Sequence, residues 1–122
     1  MSKAKGLGLY VMGLASMIAL VGTFLSGIAV YLGLFPEDFH IGIGILSVAL
    51  SVISHVLNAS VSPMNFIAVL FLIGALWTGL MNIEGKSGGT NLHIIVGPLA
   101  VALSVLASIL NIQFYMKAKR KS

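Results

Sequence analysis

The sequence predicts an all-α fold: an integral membrane four-helix bundle made of two repeated helix hairpins. Three observations carry this. Of 122 residues, 58% are hydrophobic and 8% charged, against about a quarter charged in an ordinary globular chain. The apolar residues fall into four runs close to or above the ~20 residues that cross a bilayer. Two of those runs also match each other residue by residue. A mean hydropathy of +1.07 leaves too little polar sequence to cover a water-facing surface, which excludes a soluble domain, a disordered chain and a nucleic-acid-binding surface. The chain has no cysteine, so disulfides, zinc–thiolate sites, cysteine-ligated iron–sulfur clusters and covalent haem attachment are excluded as well. Any metal or haem must use His, Met or carboxylate ligands.

The first run, about residues 7–34, follows Lys3 and Lys5 and is far longer than a signal-peptide core, so it reads as an uncleaved transmembrane helix. Phe35-Pro36-Glu37-Asp38 ends it, because proline lacks a backbone donor and carboxylates are expensive in hydrocarbon. Asp38 is the expected cap of the second span, about 39–58. Asn58 to Pro63 forms a polar turn, with Ser62 as N-cap and Pro63 at the first helical position of a third span, about 64–81. Glu84 to Thr90 is the one Gly-rich flexible segment, and Thr90 or Asn91 is expected to cap a fourth span, about 92–116. The whole of 1–122 is thus one transmembrane domain.

An even number of spans puts both termini on one side. They hold six of the seven Lys and Arg residues, and only Lys86 lies in a loop on the other face. The positive-inside rule therefore predicts cytoplasmic termini in a cell membrane. Tyr10, Phe114 and Tyr115 then fall near the inner interface, and Tyr31, Phe35, Phe39 and Trp77 near the outer one, where amphipathic rings are favoured.

Residues 40–58 (HIGIGILSVALSVISHVLN) and 93–111 (HIIVGPLAVALSVLASILN) share eleven of nineteen positions without a gap, including His40 with His93, Gly44 with Gly97 and Asn58 with Asn111. The preceding helices align more weakly, Phe24-Leu25 and Gly27 with Phe71-Leu72 and Gly74, which implies six more residues in the second outer loop. Each hairpin has the same topology, so the halves relate by an axis along the membrane normal, and spans two and four run in the same direction. His40 and His93 come to the same depth.

All three histidines lie on spans two and four. His40 and His93 stand in the first turn, where the helix dipole favours a neutral ring with a free nitrogen for metal ligation. Gly44 and Gly97, four residues on, share the histidine face and leave the space that the edge of a flat macrocycle needs; alternatively, they permit close helix packing. His55 is fifteen residues after His40, a rotation of ~60° and a rise of ~22 Å, so it points broadly inward near the other end. It reads either as a second ligand position or as a core histidine bonded to Ser51, Ser54, Ser108 or Asn58. Its repeat counterpart is Ser108.

A four-helix bundle with histidines on two helices, a second histidine about four turns along and small residues close by resembles the b-type cytochrome membrane proteins. That resemblance covers spans two and four. It implies one haem b near the outer face with His40 and His93 as axial ligands, and His55 as one ligand of an inner haem. Ser108 departs from the pattern, leaving the inner site five-coordinate or degenerate. The chain would then be an electron-transfer or anchor subunit of a respiratory or redox complex rather than a complete enzyme, contacting lipid, other membrane subunits and quinone or a soluble carrier.

Two other function classes fit the residues. One is a cofactor-free accessory subunit whose small faces (Ser16, Gly22, Ser26, Gly27, Gly74) pack against other membrane proteins. The other is an outer-face copper or zinc site joining His40 and His93 to Asp38, Glu37, Glu84 or Met81. Hydrolytic catalysis has no support: there is no Ser-His-acid pattern, HExxH or phosphate loop.

Overall fold

The computed structural model describes residues 3–85 and 88–121. Lys86 and Ser87, between the third and fourth helices, lie outside the described residues, as do Met1, Ser2 and Ser122. Four helices form the chain: α1 (Lys3–Tyr31), α2 (Glu37–Leu57), α3 (Met64–Ile83) and α4 (Gly89–Lys121). All four are long and apolar enough to cross a membrane, and the protein is an integral membrane protein. Each helix packs on its neighbours in sequence, α1 closes the ring on α4, and α2 meets α4 across a diagonal. The two repeat-bearing spans therefore face each other at the centre.

The interior is more polar than the exterior. Seven hydrophobic side chains are buried among the described residues, four of them alanines, against twelve polar ones, while Leu and Ile side chains are exposed along every helix. A water-soluble bundle could not survive that inversion; in lipid, apolar side chains lose nothing by facing outward, and small or hydroxylated residues let helices approach. Tyr31, Phe35, Phe39 and Trp77 are all exposed at the end that carries the connections 32–36 and 84–88. Phe35 and Phe39 pack edge to face there, with centroids 5.0 Å apart.

The helix ends differ from expectation in instructive ways. Ser62 accepts a hydrogen bond from the Met64 N–H at 3.2 Å, as a cap should. Asp38 caps nothing: α2 begins at Glu37, two residues before the expected start, after Pro36 with φ −65° and ψ 135°, and it has no side-chain cap bond. Thr90 does not cap α4 either, because that helix already starts at Gly89 and the Thr90 hydroxyl donates to the Asn82 side chain on α3. At the other end α4 runs to Lys121, so its 33 residues span about 50 Å. That exceeds the ~30 Å hydrocarbon layer and carries the four terminal cations out on a helix.

The repeat is closer than the sequence alignment of the first and third spans suggested. The connections 32–36 and 84–88 are equally long, so no six-residue insertion separates the halves. The register that the structure sets pairs Ser16 with Ala68 and Leu20 with Leu72, all four buried, and Ser26-Gly27 with Thr78-Gly79. The Phe-Leu match used above was a coincidence of two apolar stretches five residues out of phase.

Candidate functional site

His40 and His93 meet across the α2–α4 diagonal, with ring centroids 6.2 Å apart and planes inclined at 67°. Each is oriented by the helix preceding it in the chain. With the Ser26 hydroxyl hydrogen on the Thr23 carbonyl, 2.7 Å away, its oxygen accepts from His40 Nδ1–H at 2.8 Å. His93 Nδ1–H donates to the Ala75 carbonyl at 2.9 Å, and the Thr78 hydroxyl oxygen lies 3.2 Å from the same nitrogen while its hydrogen serves Gly74 or Ala75. Both rings are therefore fixed with the proton on Nδ1. Nε2 is left as a bare lone pair on each, and no donor among the described residues reaches it. Holding the second nitrogen on a carbonyl or hydroxyl is how proteins set the tautomer of a ligating histidine.

Glycine also has a role here, but at other positions than the sequence suggested. A Cβ at Gly27 would lie 2.9 Å from His40 Cε1, and one at Gly79 would lie 3.1 Å from His93 Cε1. These two glycines are the cradles of the rings, and each follows the hydroxyl residue that orients the ring. The sequence signal was there: Ser26-Gly27 precedes His40 as Thr78-Gly79 precedes His93. Gly44 and Gly97 touch no imidazole. At Gly44 a Cβ would meet Thr23 at 3.5 Å, and at Gly97 it would meet nothing within 4 Å.

All six residues, His40, His93 and the four glycines, line one apolar cavity of about 440 Å³, within the range of cofactor and ligand sites. Glu37 lines the same cavity, but among the described residues no three of His, Cys, Asp or Glu come together as a metal site. The small-residue face invoked for a partner protein is internal as well. Ser16 and Ser26 are buried, Gly22 packs on Ile43, and Gly74 packs on Val96.

His55 stands apart from this cavity and has a different character. It is fully buried, and both ring nitrogens are engaged: Nδ1 with Asn65 Oδ1 at 2.8 Å, Nε2 with the Ser104 hydroxyl at 2.6 Å. Asn65 Nδ2 donates to the Asn58 carbonyl and to Asn111 Oδ1, and Asn111 donates back to Asn65 Oδ1. That fixes the amide orientation, so His55 carries its proton on Nδ1 and accepts from Ser104 at Nε2. Tyr115 donates to Asn58, extending the network to the end where the termini lie. The partners are Asn65 and Ser104 rather than the α2 residues or Ser108 named above, and neither nitrogen is left to hold a ligand.

Comparison with protein-family models, with curated proteins and with solved structures finds no match to this chain.

Proposed function

We propose that the protein holds one haem b between His40 and His93 and serves as an electron-transfer or anchor subunit of a membrane redox complex, with its termini cytoplasmic and the haem toward the outer face. The observation that supports this best is the pair of bare Nε2 lone pairs beside an apolar cavity. The two rings stand with their centroids 6.2 Å apart, and His40 and His93 would hold the group through these nitrogens. A histidine kept only for packing gains nothing from a nitrogen left unpaired; His55 shows how this protein treats such a ring.

When bound, the haem supplies reversible one-electron chemistry. The chain does the rest. Ser26 and the Ala75 carbonyl hold the Nδ1 protons, which raises the basicity of the opposite nitrogens and fixes ring rotation. Gly27 and Gly79 let each imidazole come close against the neighbouring helix, and Gly44 and Gly97 keep side chains out of the cavity wall. Exit of the electron requires a quinone, a neighbouring subunit or a soluble carrier.

The test is the visible spectrum of the purified protein with and without dithionite. Low-spin haem bands are expected, and His40→Ala or His93→Ala each abolishes them, because six-coordination needs both imidazoles. His55→Ala lowers stability and leaves the bands of whatever protein stays folded. A colourless preparation of folded protein from haem-replete cells overturns the reading, as does loss of haem in His55→Ala but not in His93→Ala.

A further inference from the structure

The repeat that pairs α2 with α4 ends at Asn58 and Asn111. Beyond Asn58 come Ser60, Ser62 and Pro63, and α2 stops at Leu57, because serines compete for backbone hydrogen bonds and proline cannot continue a helix. Beyond Asn111 no breaker occurs: Gln113, Met116, Lys117 and Ala118 all favour helix, and α4 runs on to Lys121. The last turns of α4 therefore stand beside the connection 58–63, tied to it by the bond from Tyr115 to Asn58, with no equivalent stretch of α2 next to them. A cleft of about 290 Å³ opens there, lined by Val61 and Ser62 of the connection and by Leu110, Gln113, Phe114 and Lys117 of α4. It lies at the level where α2 turns into α3, and in a membrane such a turn of irregular backbone belongs at the bilayer boundary.

We propose that this cleft binds the headgroup of an anionic phospholipid. Its polar lining is made of donors. Gln113 and Lys117 stand four residues apart on one face of α4, and neither side chain has a hydrogen bond or ion pair among the described residues. The Ser62 oxygen accepts from the Met64 N–H, which leaves its hydroxyl hydrogen for another acceptor. An ammonium, a carboxamide and a hydroxyl around one cleft match a phosphodiester, whose charged oxygens only accept. No side-chain carboxylate competes with it, since Glu37, Asp38 and Glu84 all belong to the opposite end of the bundle. The apolar lining selects a lipid over free phosphate. Leu106, Leu110, Gln113 and Lys117 fall in one stripe at helical spacing, with Leu106 and Phe114 exposed to the membrane. That stripe runs from a cation at the surface to aliphatic side chains below it, as a headgroup runs to its acyl chains. Basic pockets at the ends of membrane helices recognise anionic lipids by this combination.

The test is lipid binding to the delipidated full chain in neutral detergent at physiological salt, read by native mass spectrometry. The probes are phosphatidylglycerol and phosphatidylcholine with identical acyl chains, and inorganic phosphate as competitor. One phosphatidylglycerol is expected to bind about tenfold or more tightly than phosphatidylcholine, the effect of a hydrogen bond to a charged group, and phosphate does not displace it. Lys117→Gln and Gln113→Leu should each reduce that preference severalfold, whereas Lys121→Gln, which removes a cation outside the cleft, should leave most of it. Gln113→Leu is the sharper variant because it leaves the net charge unchanged. Equal affinity for the two lipids overturns the site, and so does displacement by phosphate. Equal losses in Lys117→Gln and Lys121→Gln, with Gln113→Leu unaffected, also overturn it, because diffuse attraction to the terminal cations would then account for the binding. All of these side chains are exposed or line the cleft, and none touches the histidine cavity at the other end, so the outcome is independent of haem.

Discussion

At the scale of single residues, the setting of each imidazole is made by what its facing helix lacks. Gly27 and Gly79 have no Cβ, and an added one would stand 2.9 Å and 3.1 Å from the rings of His40 and His93. Gly27→Ala and Gly79→Ala are therefore overpacking changes that push a ring off its Nδ1 partner, each costing about 1–3 kcal/mol. Gly27→Ala is the harsher, since its contact is the closer. Both should lower the thermal midpoint and, where the proposed haem is bound, the bound fraction read from the visible bands. Normal occupancy and an unshifted midpoint in Gly27→Ala would show that His40 is free to move and is not held as described. The histidines themselves were legible in the sequence because their residue type is rare and the repeat preserves them. Their partners were not. Ser26, Gly27, Thr78 and Gly79 belong to types common on every span, and only the pairing of helices shows that each Ser/Thr-Gly step faces a histidine. For His55 the sequence points to Ser51, Ser54 and Asn58 beside it and to its repeat mate Ser108, whereas its bonds run to Asn65 of α3 and Ser104 of α4.

At the scale of elements, helix ends follow local chemistry where it is unopposed. Ser62 is followed by Pro63, which provides no donor, so the hydroxyl serves the next free N–H, that of Met64. Ser62→Ala removes this bond and is expected to cost about 1 kcal/mol, typical of a lost cap, read as a lower midpoint in chemical unfolding. A neutral result would mean that lipid headgroups or water satisfy that N–H equally well. Asp38 and Thr90 show the opposite case. Glu37 already enters the helix, which leaves Asp38 within the first turn, and the Thr90 hydroxyl reaches Asn82 on α3, so tertiary packing overrides the local cap. The four spans were legible because their apolar length exceeds anything a soluble helix needs. The phase of α1 against α3 was not, since Leu, Gly and Phe recur there too often for an alignment to choose between registers five residues apart.

At the scale of the whole molecule, the polarity of the bundle fixes where each of its two interiors lies. The histidine pair and its cavity are at the end of the connections 32–36 and 84–88, and the His55–Asn65–Asn111 network is at the end of the termini. Six of seven cations also sit at the termini, four of them on the part of α4 that outruns the membrane. Moving those charges through hydrocarbon costs ~2.5–3.5 kcal/mol per residue even on the lenient insertion scale, while the other end offers one lysine and all three carboxylates. The proposed orientation, with cytoplasmic termini and an outward-facing histidine end, rests on this charge asymmetry. The chain has no cysteine, so single cysteines introduced at position 86 and at position 122 can be labelled one at a time with a membrane-impermeant maleimide. In right-side-out vesicles the first should react and the second should not, and inverted vesicles should reverse the pattern. Labelling of position 86 from the cytoplasmic side would turn the bundle over and place the histidine cavity at the inner face. A partner for the proposed haem site would then be sought on that side instead.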